Sequence, residues 1–322
     1  MFEMLKRHAR MALAGAAAIG LLVTPAWGES APTDAGAAPP APATAEKVEL
    51  PTTATPAIWK ITKANGATIT FMGSIHLLPP ALTFMTPELE AAIAGADVTV
   101  TEVLSTELQS PELNAVVMAE GMYPTGTTLQ SKMSAEDWAE FEKACAIVGV
   151  PAVALNQMKP WLASVTLSLL LAAKDGYAPT SGVEYVLDGA MGGDGKTRLA
   201  FETAIEQIGF FTDIEESVAL AGLVEGARQL QTDTQMLNRM VVAWAAADVA
   251  ALEELLVSAM DATPEMRKVL LDDRNARWVT RIQAEFMADD KDYFILVGAG
   301  HLVGEGSVID LLRKAGITVE GP

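Results

Sequence analysis

The chain has 322 residues, a formal net charge of −19 and a single cysteine, Cys145. A strongly acidic balance argues against nucleic acid or an anionic membrane surface as a partner. One cysteine rules out an internal disulfide and any multi-cysteine zinc site.

The N-terminus reads as an export signal. Lys6, Arg7 and Arg10 precede an apolar run over residues 11–23, and Ala26-Trp27-Gly28 places small residues at the two positions a signal peptidase reads. The run is short for a span of about 20 residues, so cleavage is expected rather than a retained anchor. Residues 1–28 are therefore assigned as a signal peptide, and the mature protein is expected to be periplasmic or secreted. Residues 29–56 are dense in Ala, Pro and Thr and carry few large apolar side chains. They are expected to form a flexible linker. The remainder, residues 57–322, is long enough for one large soluble α/β domain.

Residues 58–63 and 67–72 alternate around Asn65-Gly66, a strong hairpin signal. The second of these strands leads into Gly73-Ser74-Ile75-His76. A short helix is expected over 87–95, and then a buried strand over 97–103 with Glu102 near its end. Ser134 opens a helix with a capping-box-like arrangement. Cys145 falls on that helix and reads as a small buried hydrophobe. Pro160 suits the first turn of the next helix. Residues 198–203 read as a strand, and 213–231, 234–246 and 264–288 as helices. A strand over 293–297 leads into Gly298-Ala299-Gly300-His301, followed by a helix over 306–315 and a closing strand over 317–320.

The repeated unit is the most informative feature. Beyond His8, which falls in the expected leader, the chain has two histidines, and each follows a strand as Gly-x-x-His. With Gly at roughly 7% of residues, chance would place it before both about once in 200 cases. The pattern predicts an α/β fold, a central β-sheet with helices packed around it. In that fold the two strand–Gly-x-x-His units converge at the carboxyl ends of strands, where open sheets gather ligands. Two His and a carboxylate form a minimal ligand set for a divalent metal that leaves positions for water and substrate. Glu102 is the leading carboxylate, because an acid within an apolar strand needs a partner if buried; a half-exposed Glu at a strand end fits the pattern equally. Glu202 poses the same question more weakly. Arg274, Arg277 and Arg281 share a helical face, and periodicity alone favours surface ion pairing over an inward role.

At these residues the chain resembles the TraB/GumN (PrgY, Tiki-like) family. The likeness runs through Gly73-Ser74-Ile75-His76-Leu77-Leu78-Pro79, Val100-Thr101-Glu102, Lys159-Pro160-Trp161, Phe201-Glu202-Thr203 with Glu206-Gln207, Arg274-Asn275 with Trp278, and Val297 to Gly304, in that order. The resemblance implies a fold akin to erythromycin-esterase and ChaN-like proteins. The family's animal Tiki members are metal-dependent proteases. Carried over, it implies His76, His301 and Glu102 around a divalent metal (Mn, Co or Zn), Glu102 and Arg274 as catalytic groups, and Glu202, Gly73 and Gly298 in support. The expected function is an exported metal-dependent hydrolase acting on a peptide or small-molecule substrate. Two alternatives stand beside it: a metal-independent ester or lactone hydrolase with a His as base, and a binder of peptide, iron or haem without turnover.

Overall fold

A computed structural model describes residues 47–193, 195–258, 260 and 263–322. The signal peptide and most of the linker expected from the sequence lie outside the described residues.

Five strands form one mixed sheet. β1 (Ile58–Thr62) and β2 (Thr68–Ser74) make the hairpin that Asn65-Gly66 announces, and they pair antiparallel with Ile58 opposite Met72. β3 (Val98–Thr101), β4 (Thr197–Ala200) and β5 (Tyr293–Gly298) complete it in the order β1-β2-β5-β3-β4. β2, β5, β3 and β4 are mutually parallel. The last strand in sequence thus inserts between the second and third. Every residue of β5 is buried, as expected of a central parallel strand covered on both faces. Its partner positions set the site: Gly73 is opposite Val297 and Ser74 opposite Gly298, so both Gly-x-x-His segments leave the sheet side by side.

Helices cover the sheet. α1 (Pro87–Gly95) and α2 (Pro111–Gly121) each begin with Pro at the first turn and a Thr or Ser cap, Thr86 and Ser110. α3 (Ala135–Val148) starts at Ser134 and stops at Gly149, and α4 (Pro160–Lys174) starts at the expected proline. α5 (Val183–Met191) precedes β4. α6 (Ala204–Thr212), α7 (Glu216–Thr232) and α8 (Met236–Ala245) follow it. α9 (Asp273–Arg281) lies inside a longer helical stretch that runs from Pro264 to Phe286, and α10 (Val308–Lys314) follows β5. No helix among the described residues is long and apolar enough to cross a membrane.

Three expectations need correction. α6 is a separate helix that the sequence reading left out; Thr203 and Glu206 cap it reciprocally. The closing strand over 317–320 is reduced to a single bridge between Lys60 and Glu320, because Gly316 and Gly321, both with positive φ, bracket a segment too short to pair further. The linker does not extend to residue 56. Ala54 N–H donates to Thr83 O and Thr55 N–H to Ala245 O, both at 2.8 Å, and Ala54 and Pro56 are buried. The end of that Pro-rich segment is part of the domain.

Candidate functional site

Glu102 follows the last residue of β3, and Glu202 lies just past the end of β4. The two segments stay in register beyond the strands, with Phe201 N–H donating to Thr101 O and Glu202 N–H to Glu102 O at 2.9 Å. Both carboxylates therefore leave the same edge of the sheet, and both are buried. Two like charges in a dry site require a cation between them. Arg274 supplies it and is 4% exposed. Its Nη2 donates to Glu102 Oε2 at 2.6 Å and to Glu202 Oε2 at 2.8 Å, while Nε donates to Glu202 Oε1 at 3.0 Å. Its Nη1 donates to Leu270 O and lies 3.0 Å from His301 Nε2. Of the three arginines on this face, Arg274 turns inward against the surface-pairing reading. Arg277 is more exposed and reaches Glu202 Oε1 at 3.3 Å. Arg281 pairs with Glu285.

The helix around Arg274 is irregular. π-helical turns, Lys268–Asp272 and Ile282–Phe286, flank α9. Each such turn shifts the helical register, which re-aims the residues between them. Arg274, Asn275 and Trp278 are all buried as a result of this placement. Trp278 Nε1–H donates to Glu202 Oε1 at 3.0 Å, and its ring stacks on Phe201 at 4.8 Å and packs against the His301 ring at 4.4 Å. The guanidinium of Arg274 lies over the Trp278 ring at 4.9 Å.

His301 is locked in one tautomer. Asn275 Nδ2 donates to Gly306 O, which turns its Oδ1 toward His301 Nδ1 at 2.6 Å. An amide oxygen only accepts, so Nδ1 carries the proton and Nε2 accepts from Arg274. Burial, followed by the neighbouring Arg274 charge, pushes the His301 pKa down to about 3. His301 is neutral at physiological pH and both ring nitrogens are engaged. Burial pushes the Glu102 carboxyl up, but Arg274, His301, His76 and the Gly298 N–H together outweigh it and hold the pKa at about 2. Gly298 N–H donates to Glu102 Oε1 at 2.6 Å, and Gln207 Nε2, from α6, donates to Oε2 at 2.9 Å.

The two glycines of the repeated unit have a steric reason. A Cβ at Gly73 would sit 2.9 Å from Ala299 Cα, and one at Gly298 would sit 3.0 Å from Glu102 Oε1. Gly73 lets the end of β2 lie against the turn that carries His301. Gly298 lets the carboxylate reach the backbone of β5.

His76 lies on the segment leaving β2, buried, and its charge would act on both Glu102 and His301. Its Nδ1 lies 2.7 Å from Glu184 Oε1, on α5. Glu184, Asn275 and Gln207 carry no role in the residue-by-residue sequence reading. The periodicity of α5 gives no sign that Glu184 faces inward, and its partner is over a hundred positions away.

The ligand set expected for a divalent metal does not fit this arrangement. Both Glu102 oxygens accept from N–H donors, and His301 Nε2 faces a guanidinium cation at 3.0 Å. A second cation there would meet Arg274's charge at close range. Among the described residues, no three His, Cys, Asp or Glu side chains are disposed to hold a metal ion. Arg274 is likewise unsuited to the oxyanion role the resemblance implies, because its five N–H groups already have acceptors.

The mixed sheet thus carries a buried cluster of Glu102, Glu202, Arg274 and His301 at the carboxyl edge of its parallel strands. The chain belongs to the TraB/PrgY/gumN family, whose model matches residues 57–321. It is similar to the uncharacterized protein YbaP of Escherichia coli (strain K12), with 24% identity over 242 residues, covering 75% of this chain and 86% of that protein. The YbaP of Shigella flexneri matches to the same extent. No solved structure matches the chain.

Proposed function

We propose that the protein is an exported acyl hydrolase, cleaving peptide or ester bonds, in which His76 activates water beside the Arg274 cluster. The observation that carries this reading is the cluster itself. Two buried carboxylates, a buried arginine and a neutral histidine are expensive to desolvate, and an apolar core of the same volume would be at least as stable. Ionisable groups with strongly displaced pKa values cluster at functional sites. The export part rests on the basic and apolar N-terminal pattern, which lies outside the described residues.

Within that cluster His301 is neutral, saturated and unsuited to proton transfer. His76, at the end of the neighbouring strand, is the remaining imidazole. In the reaction, His76 takes a proton from water as the oxygen attacks the acyl carbon, and returns it to the leaving amine or alcohol as the tetrahedral intermediate collapses. The negative end of the cluster, Glu102 and Glu202 against one fully buried cation, favours the imidazolium that forms between those steps. No step runs through a metal, since the side chains as placed do not fit one.

The test is hydrolysis of a peptide library and a series of short-chain esters by the mature chain, with and without a chelator. The expected result is turnover that survives chelation and falls by about 100-fold or more in His76→Ala. Turnover that stops on chelation and returns with Mn²⁺ or Co²⁺ would overturn the metal-free mechanism. Absence of turnover by folded wild type across both panels would overturn the hydrolase reading and favour a binder.

A further inference from the structure

We propose that Arg277 and Gln207 form a recognition site for an N-acylated α-amino carboxylate, the group that ends a peptide chain. The Arg277 guanidinium takes the carboxylate, and Gln207 Oε1 takes the neighbouring amide N–H. The inference deepens the hydrolase reading by naming its substrate class and rests on it for that word, whereas binding itself is measured without turnover.

Both residues meet the same buried carboxylate. Gln207 Nε2 lies 3.3 Å from Glu202 Oε2, and Arg277 Nη2 lies 3.3 Å from Glu202 Oε1. The two groups therefore stand side by side where the cluster reaches the surface, since the Arg277 side chain is 54% exposed. Phe210, one turn beyond Gln207 on α6, holds the Arg277 guanidinium over its ring at 5.3 Å.

Neither residue is exhausted by the cluster. Arg274 and Trp278 already satisfy Glu202 at 2.8 to 3.1 Å, closer than Arg277 does. Among the described residues, Glu202 is the one side-chain acceptor for Arg277, so most of its five N–H groups have none. Gln207 is buried, and its Nε2 donates to Glu102 as well as to Glu202. Carboxylates only accept, which fixes the amide with Oε1 turned away from them. Among the described residues that oxygen accepts no hydrogen bond, and it is not sealed from solvent.

The charges suit an anion. The chain carries 41 acidic residues against 22 Lys and Arg, so an anionic ligand needs a local cation. Arg274 and Arg277 match Glu102 and Glu202 one for one, and His301 is held neutral, so a bound carboxylate joins a balanced cluster. Glu206, on the same helix as Gln207, is committed to the Thr203 cap through Oε2. A guanidinium fork pairs with a carboxylate through two parallel hydrogen bonds. In an N-acyl amino acid the carboxylate and the N–H flank one carbon, which suits a donor fork beside a single acceptor.

The experiment is isothermal titration of the full chain at low salt with the N-acetyl derivatives of alanine, leucine and phenylalanine. Each acid is compared with its C-terminal amide and with its N-methylated form, which lacks the N–H. For at least one side chain, wild type is expected to bind the acid saturably and about 10-fold or more tighter than the amide, and N-methylation is expected to weaken binding by about 10-fold. Arg277→Gln is expected to bind acid and amide alike, and Arg277→Lys to recover only part of the preference, because lysine lacks the planar fork. Arg277 is half exposed, so both variants are expected to fold, which circular dichroism checks. No preference for acid over amide with any side chain, or a preference that survives in Arg277→Gln, would overturn the proposal. Binding indifferent to N-methylation would overturn the role of Gln207. Tetrapeptides with the same last residue separate the two sources of this group: tighter binding than the acetylated residue supports a peptide, and equal binding supports an acyl amino acid. Titration needs no turnover, so its failure is distinct from a failure to find hydrolysis.

Discussion

Replacing Arg274 tests whether the cluster is an interdependent charge unit. Arg274→Met keeps much of the side-chain volume and removes the buried cation that pairs with both Glu102 and Glu202. The carboxylates then face burial without compensation. In the intact protein Glu102 is held at about 2, against an ordinary value of 4.5. At about 1.4 kcal/mol per pH unit, that difference corresponds to about 3 kcal/mol of stability. Breaking a buried ion pair by removing one partner costs about 3–5 kcal/mol, which agrees. The sign with pH follows from the direction of the displacement. The wild-type contribution is complete above 4.5 and is lost as pH falls toward about 2. In Arg274→Met, burial dominates and raises the Glu102 pKa above its unfolded value. The charged form is then penalised at neutral pH, and the penalty is relieved as the group protonates. Urea unfolding of both proteins from about pH 5 to 8 should therefore show a deficit of about 3–5 kcal/mol at the upper end that shrinks toward the lower end. A deficit under about 1 kcal/mol, or one that stays constant with pH, would refute the reasoning.

Gly73→Ala should destabilise by about 1–3 kcal/mol, since its Cβ would meet the Ala299 backbone at 2.9 Å; unchanged urea midpoints would show that the turn yields freely. A chain beginning at Ala57 should melt several degrees below the mature protein, because it loses the Ala54 and Thr55 backbone bonds and the burial of Ala54 and Pro56. Differential scanning calorimetry of the two chains checks this, and identical melting would restore the linker boundary at residue 56. Cys145 is fully enclosed in α3, and burial, with Glu142 adding to it, pushes its thiol up to about 12. It should resist a thiol reagent in native buffer and react at once in urea; rapid native labelling would mean α3 opens.

The strands and their order of use were legible because the hydrophobic pattern and the turn residues agree locally. Asn65-Gly66 placed the β1–β2 hairpin, and the apolar runs placed β3 and β5 to within a residue or two. α6 is hard to read from the chain although Thr203-x-x-Glu206 is a capping box, because the box overlaps the end of the run 198–203, whose pattern is that of a strand. The closing strand was overcalled from four apolar and polar residues that have only one partner residue, Lys60, to bridge to. The linker boundary was misplaced because Pro-rich composition reports on the lack of large apolar side chains. It says nothing of backbone groups that find acceptors on Thr83 and Ala245.

The site was half legible for a different reason. Gly-x-x-His repeats at strand ends because Gly73 and Gly298 are needed where strand termini meet other groups closely, and sequence records that need directly. What the repeated unit does not record is that its two histidines have opposite surroundings. His301 faces Arg274 and Asn275, on a helix whose π turns break the periodicity a sequence reading relies on. His76 faces Glu184, held by a contact between Gly182 and the backbone of residue 76 that no spacing along the chain encodes. The repeated unit, taken alone, suggests a shared metal. The partners of the two histidines differ: the Arg274 guanidinium lies beside His301 Nε2, and the Glu184 carboxylate lies beside His76 Nδ1. A symmetric motif at the end of two parallel strands therefore specifies where the chemistry sits, while the residues brought in from α5 and α9 decide what each histidine can do there.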